Sequence, residues 1–236
     1  MKKTAVAIIT ARGGSKRIPH KNIKLFLGQP IIKYSIDAAL QSKCFEEVMV
    51  STDSQKIAKI ARSFGAKVPF LRSIKNSNDY ATTAGVIKEV LFEYKKRGKE
   101  FTYFCCIYPA APFITPQKIR LAFKKMIDNK ANAVVPVVRF SYPIQRALKI
   151  ENNQLSWVYP ENKKIRSQDL SPLYHDCGQF YLAITKTFIK QGTIMGNRAI
   201  PMEIPESEVQ DIDNEEDWKL AEIKYKFLKK YSKLIL

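Results

Sequence analysis

At 236 residues the chain is long enough to bury a sizeable core, and its 45% hydrophobic and 26% charged content excludes a disordered or collagen-like polymer. Forty lysines and arginines against 22 acidic residues give a formal charge of +18, which attracts any polyanion, from nucleic acid to a nucleotide triphosphate. The lysines are spread along the chain rather than gathered in a stripe, so charge alone selects neither.

The opening, MKKTAVAIITAR, has a basic tip and then an apolar stretch that ends at Arg12, with no leader cleavage pattern after it. A cytoplasmic protein is expected, because no apolar run anywhere is long enough to span a membrane. Residues 4–11 form a nearly continuous apolar run, as a parallel strand buried on both faces requires, and residues 47–52 and 102–108 repeat it. These three strands are expected to form the centre of a sheet.

Between the strands lie helical periodicities. Residues 28–42 carry Pro30 at a first helical position and Ile32, Ile36, Ala39 and Leu40 on one face. A second helix covers 54–64 and stops at Gly65; Thr82 or Thr83 caps a third that ends near Gly98; Thr115 and Pro116 open a fourth that runs to about Asn129. Strand and helix in alternation predict βαβ units and a doubly wound α/β domain without a linker.

After Val138 the rhythm changes. Residues 139–173 hold Pro143, Pro160 and Pro172, with two short alternating stretches, 146–150 and 154–158, around Asn152 and Asn153. This predicts a β-hairpin insertion, an arm on the single domain. Residues 178–184 return to a core strand, and Asp213 with Glu216 suggests a capping box for a last helix over 215–228. Cys44, Cys105, Cys106 and Cys177 show no CxxC pair and no spaced histidines, so neither a zinc site nor a disulfide framework is indicated. Cys105 and Cys106 belong to a buried strand as small hydrophobes.

The strongest local signal is ARGGSKRIPHKN, residues 11–22, directly after the first strand. Gly13 and Gly14 permit a tight turn with amides facing an anion, and Arg12, Lys16, Arg17 and Lys21 supply four cations around it. The chemistry is that of a triphosphate cradle. Neither GxxxxGK[ST] nor GxGxxG occurs, so P-loop and dinucleotide-binding chemistries are not favoured. In VQDIDN, an extended backbone would put Asp211 and Asp213 on one side, where two carboxylates facing phosphates invite magnesium.

With the loop go VSTDS at 50–54, FLRS at 70–73, DYATT at 79–83, IRSQDLSP at 165–172, DCGQFYL at 176–182 and VQDIDNEEDW at 209–218. In this order the motifs resemble the CMP-sugar-acid synthetases, which include N-acylneuraminate, legionaminate and pseudaminate cytidylyltransferases, over nearly the whole chain. The resemblance implies a Rossmann-like, GT-A-like nucleotidyltransferase fold, a mixed, mostly parallel sheet with helices on both faces, and a homodimer formed through the arm. It implies CTP binding by Arg12, Gly13, Gly14, Ser15, Lys16 and Lys21 at the phosphates, by Asn22 at the ribose, and by Arg72, Ala81 and Thr83 around the cytosine. Magnesium is implied at Asp211 and Asp213, which with Arg12 and Lys21 form the catalytic set; Asp53 is read as a cap of the second helix.

The sequence departs from the sialate-type pattern at Tyr108, Pro109, Ala110, Ala111, Pro112 and Phe113, where many relatives carry an amide and two hydroxyls. A wall of Tyr108, Ala110 and Ala111 offers fewer hydrogen bonds and favours a more deoxygenated sugar. YPAAPF beside DCGQFY resembles the pseudaminate branch, with Gln179 and Tyr181 at the sugar, one of Phe180 and Tyr181 in the core, and Arg166 as a fork for the sugar carboxylate. The expected reaction joins CMP from CTP to the anomeric hydroxyl of a nonulosonic acid, most closely pseudaminic acid, with legionaminate and N-acetylneuraminate as rivals. A different acceptor, such as an eight-carbon acid, or a basic nucleic-acid-binding protein are the remaining readings; no membrane partner is expected.

Overall fold

The computed structural model describes residues 4–232; the basic tip, residues 1–3, lies outside them. In chain order, β1 (Ala5–Thr10) leads through the glycine loop to a two-stranded ribbon, β2 (Leu25–Phe26) and β3 (Gln29–Pro30), and then α1 (Ile32–Ser42). Next come β4 (Glu47–Ser51), α2 (Gln55–Ser63), α3 (Thr83–Lys96), β5 (Tyr103–Ile107), α4 (Pro116–Asp128) and β6 (Ala133–Arg139). The arm carries β7 (Leu148–Glu151) and β8 (Gln154–Trp157). It is followed by β9 (Tyr174–Asp176), β10 (Phe180–Ile184), α5 (Thr185–Gln191), β11 (Ala199–Glu203) and α6 (Glu215–Ser232).

The main sheet runs β11-β6-β10-β5-β1-β4, with β9 paired to the far end of β6. β1 is parallel to β4 and β5, with Ile8 opposite Met49 on one side and Cys106 on the other, and β10 inserts antiparallel between β5 and β6. The sheet is therefore mixed and mostly parallel, as expected. β1 and β5 are central, but β4 closes the path at one edge, which corrects its expected place. Its outer side carries only a single parallel bridge, Met49 to Lys67, and its all-buried sequence follows from cover on both faces.

Alternation along β1 and β5 sends Ala7, Ile9, Cys105 and Ile107 to the layer packed by α1, α2 and α4, and Val6, Ile8, Phe104 and Cys106 to the layer packed by α3. Ser54, Thr82 and Thr115 cap α2, α3 and α4 as side-chain acceptors. Two helix starts differ from expectation. Pro30 sits in the ribbon rather than at a first helical position, and α1 begins at Ile32. At α6 the box is shifted by one residue: Asn214 Oδ1 accepts from the amides of Glu216 and Asp217, and Asp217 Oδ2 accepts from those of Asp213 and Asn214.

β6, β11 and α5 have no counterpart in the sequence-based expectations. Pro136 and Pro201 lie inside the two strands and hide them from a strand pattern, while seven residues of α5 are too few for periodicity to emerge. The hairpin forms where the two asparagines place it: Asn152 and Asn153 both take positive φ, 49° and 58°, the requirement of a two-residue turn matched to strand twist. All four cysteines are free. No helix among the described residues is long and apolar enough to cross a membrane.

Candidate active site

The carboxyl ends of β1 and β5 open onto a cleft of about 420 Å³, at the edge where open α/β sheets bind ligands and large enough for a nucleotide. One wall is the glycine loop, with Arg12, Ser15, Lys16, Arg17, Lys21 and Asn22; facing it are Asp211 and Ile212. Arg72, Ala81, Thr83, Tyr108 and Ala110 close the remainder.

Burial explains how loop and carboxylate segment meet. Ile18, at the middle of the loop, is fully buried in a cluster with Phe26, Phe113, Ile212 and Trp218, so one apolar plug holds the loop, the ribbon, the Asp211–Asp213 segment and α6 together. Lys21 Nζ donates to the Ile212 carbonyl at 2.7 Å and lies 3.8 Å from Asp213. Burial holds the Lys21 ammonium below the usual lysine range, against the pull of Asp213 and Asp211. Asn22, also buried, donates to the Arg12 carbonyl at 2.9 Å and staples the turn closed.

The glycines work differently from the expected nest of amides. The Gly13 amide donates to Asp53 Oδ1 at 2.8 Å, and that of Ser15 turns back to the Gly13 carbonyl. Asp53 therefore anchors the loop, while the cap of α2 is its neighbour Ser54. Neither Gly13 nor Gly14 has a positive φ. Gly13 is required by close approach, since a Cβ there would stand 3.1 Å from Ser54 Cβ, whereas Gly14 faces open space. Side chains rather than backbone amides carry the positive charge of the loop.

Ile212 is buried, so Asp211 and Asp213 both turn away from the core, as the spacing predicts. Asp211 lines the cleft; Asp213 is engaged by Arg17 Nη1 at 2.5 Å. The donor set consists of hard carboxylate oxygens, and no cluster of three or more His, Cys, Asp or Glu side chains placed for a metal occurs among the described residues. These residues fit an ion such as magnesium, which completes its shell with water and substrate phosphate oxygens.

At the opposite wall Arg72 is buried, with Nε donating to Ser51 Oγ at 3.0 Å and Nη2 to the Ser51 carbonyl at 2.5 Å. Burial lowers the affinity of its guanidinium for the proton, yet the group stays cationic. Because Thr82 caps α3, the Thr83 hydroxyl is left for the cleft and lies 3.2 Å from Tyr108 Oη. Burial raises the Tyr108 phenol, keeping it neutral. Its ring stands edge-on to Tyr181 at 5.6 Å, and Tyr181 Oη donates to Asp176.

Several expected sugar residues are placed elsewhere. Ala111 is buried beneath the wall that Ala110 lines. Gln179 is buried and donates to the Glu208 carbonyl, away from the cleft. Phe180 and Tyr181 both belong to the core, on opposite faces of β10; Tyr181 reaches the cleft only through Tyr108. Arg166 lies on the arm, held by Asp169 at 2.7 Å, and the fold does not bring it to the cleft of its own chain.

Among the cleft residues without an assignment from the sequence are Thr10, Asp79, Val86, Gly178 and Ile212. Thr10 could have been found from its position at the carboxyl end of a parallel strand. Asp79 stands inside the quoted DYATT motif but has no spacing that marks it.

The fold is that of a nucleotidyltransferase. A CMP:2-keto-3-deoxy-manno-octonic acid synthetase solved with CTP superposes with a TM-score of 0.68, covering 97% of this chain and all of the other at 16% identity. A sequence model of the cytidylyltransferase family matches residues 6–231. A pseudaminic acid cytidylyltransferase of Campylobacter jejuni is 39% identical over 94% of this chain and 96% of its own. A CMP-N,N'-diacetyllegionaminic acid synthase of Legionella pneumophila is 33% identical over 92% and 94%. The chain belongs to the cytidylyltransferase family.

Proposed function

We propose that this protein transfers CMP from CTP to the anomeric hydroxyl of pseudaminic acid, releasing pyrophosphate. The observation that carries the reading is one juxtaposition: the four loop cations line a cleft together with Asp211, two of them, Arg17 and Lys21, meet Asp213 beside it, and the far wall holds Arg72, Ala81 and Thr83. The 39% identity with the Campylobacter jejuni enzyme supports the choice of acceptor.

In this reading the triphosphate lies along Arg12, Ser15, Lys16 and Lys21, with the ribose near Asn22 and the cytosine against Arg72, Ala81 and Thr83. The anomeric oxygen attacks the α-phosphorus in line as its proton is lost to water, and the bond to pyrophosphate breaks. Arg12 and Lys21 stabilise the charge that gathers on the leaving group, and the walls align the two reactants. Asp211 and Asp213 would hold magnesium, which when bound would supply charge neutralisation and a lower pKa for the attacking hydroxyl. Tyr108 and Ala110 present a largely apolar surface to the acceptor, which favours a sugar with methyl and acylamino groups over one with hydroxyls.

A pyrophosphate-release assay with CTP, magnesium and a panel of pseudaminic, legionaminic and N-acetylneuraminic acids tests the proposal. Turnover is expected with pseudaminic acid first; preference for legionaminic acid would move the chain toward the Legionella relative, and no CTP-dependent release with any acid would end the reading. Asp211→Ala is expected to reduce kcat by at least about 100-fold with the fold retained. Residual magnesium-dependent turnover near the parent rate would exclude this carboxylate from the metal site.

A homodimer in the cytoplasm completes the proposal, with residues 139–173 as its contact element on a single nucleotidyltransferase domain. The hairpin leaves the cross-strand pair Ile150 and Leu155 at 73% and 68% exposure, and an isolated two-stranded ribbon is marginally stable until its apolar side is covered. Light scattering showing a monomer at micromolar concentration would refute this part.

A further inference from the structure

The cations of the glycine loop are not idle. Arg12 Nη1 lies 2.6 Å from Asp79 Oδ1, and Lys16 Nζ lies 2.5 Å from Asp79 Oδ2, so one carboxylate bridges both. These hydrogen bonds, from Lys16 first and Arg12 second, hold the Asp79 carboxyl below the usual aspartate range and so keep it charged. Arg17 and Lys21 turn instead to Asp213. The loop's positive charge is thus divided between two carboxylates from distant parts of the chain.

Asp79 stands on an exposed turn, closed locally by Asn78, which accepts from the Tyr80 and Ala81 amides, and anchored at both ends. On one side, Glu89 of α3 fixes the turn before it, accepting from the Ser73 amide at 2.7 Å, from the Ser73 hydroxyl at 2.7 Å and from Asn76. On the other, Thr82 caps α3 and fixes the chain again. Between these anchors Tyr80 is 94% exposed and the Asp79 side chain is 41% exposed. The carboxylate helps neither to cap the helix nor to fill the core. Its contacts are to the two cations that also line the cleft beside it.

We propose that Asp79 is an internal stand-in for pyrophosphate, which exchanges with the β- and γ-phosphates of CTP on Arg12 and Lys16 and returns to them as pyrophosphate departs. This rests on the assignment of the loop as the triphosphate cradle. A carboxylate and a phosphate cannot share these cations without placing like charges side by side, so the bound state requires the turn to withdraw. The exchange weakens the hold on phosphate by the strength of two exposed ion pairs. In return, a cradle of four cations is not left charged and empty, and the product that would bind it most tightly meets a competitor already tethered at high local concentration. Asp79 is in this sense a residue for product release.

The test compares the parent protein with Asp79→Asn by calorimetric titration of inorganic pyrophosphate and, separately, of cytidine. The expected result is pyrophosphate affinity raised about three- to tenfold by the substitution, with cytidine affinity and Tm unchanged. Inhibition of turnover by added pyrophosphate should strengthen by the same factor, and Asp79→Glu should behave like the parent. Pyrophosphate that binds the parent but binds Asp79→Asn equally or more weakly would overturn the exchange while leaving the cradle standing. Pyrophosphate that binds neither protein would overturn the cradle and the exchange together.

Discussion

The two ends of the sheet use the same chemistry for opposite purposes. Where β4 begins, the Glu47 side chain is only 4% exposed and receives the Tyr94 hydroxyl, Lys99 Nζ at 2.5 Å and Lys67 Nζ at 3.3 Å. Where β1 ends, Arg12, Lys16, Arg17 and Lys21 meet Asp79 and Asp213, carboxylates that remain 41% and 37% exposed. The buried carboxylate is satisfied from several sides and has nothing to exchange with. The exposed ones are held by few contacts in a high-dielectric setting, where an ion pair is weak and a more highly charged ligand can replace it. Burial, not the type of ion pair, separates a fixed carboxylate from one that a ligand can displace.

The largest effect is expected at Arg12. Arg12→Ala is expected to lower kcat/KM by roughly 100- to 1000-fold while shifting Tm by less than about 2 °C; a large fall in Tm with retained kcat/KM would make Arg12 structural. Glu47→Gln should do the reverse, costing about 2 kcal/mol, or roughly 4–8 °C in Tm, with kcat/KM unchanged. Thermal melts against pH sharpen this further. Burial pushes the Glu47 carboxyl up, but hydrogen bonds from Lys99 and Tyr94 outweigh it and hold it below the usual range. Its contribution is therefore present above the ordinary glutamate pKa and lost as pH falls through the depressed one. The parent should lose this increment on acidification, and Glu47→Gln should not.

The smallest effect concerns Lys21, the half-buried member of the cradle. Its folded-state pKa lies below 10.5 because burial disfavours the ammonium, so the charge it would offer a phosphate in the proposed site is lost at a lower pH than for a free lysine. kcat/KM, which reports the free enzyme, should show an alkaline limb below that value, and Lys21→Arg should displace it upward at a modest cost in rate. An unchanged limb in the arginine variant would assign it to another group.

Much of the molecule was legible in the chain itself. Three of the buried strands, the caps of α3 and α4 at Thr82 or Thr83 and at Thr115, the hairpin at Asn152 and Asn153, and the basic glycine loop follow from local rules: apolar runs, side-chain acceptors at helix starts, and turn residues that tolerate positive φ; the cap of α2 fell to Ser54 rather than to the expected Asp53. Tertiary structure decided the rest, because each remaining feature depends on a neighbour remote in sequence. The insertion of β10 between β5 and β6 depends on pairing that no periodicity encodes. The seat of Ile18 beside Ile212, which brings the loop to the carboxylates, depends on a shared apolar cluster. Asp53 beneath Gly13, Asp79 across Arg12 and Lys16, and Arg166 out on the arm were likewise fixed by position in space, since a side chain's charge is written in the sequence but its partner is chosen only when the fold closes.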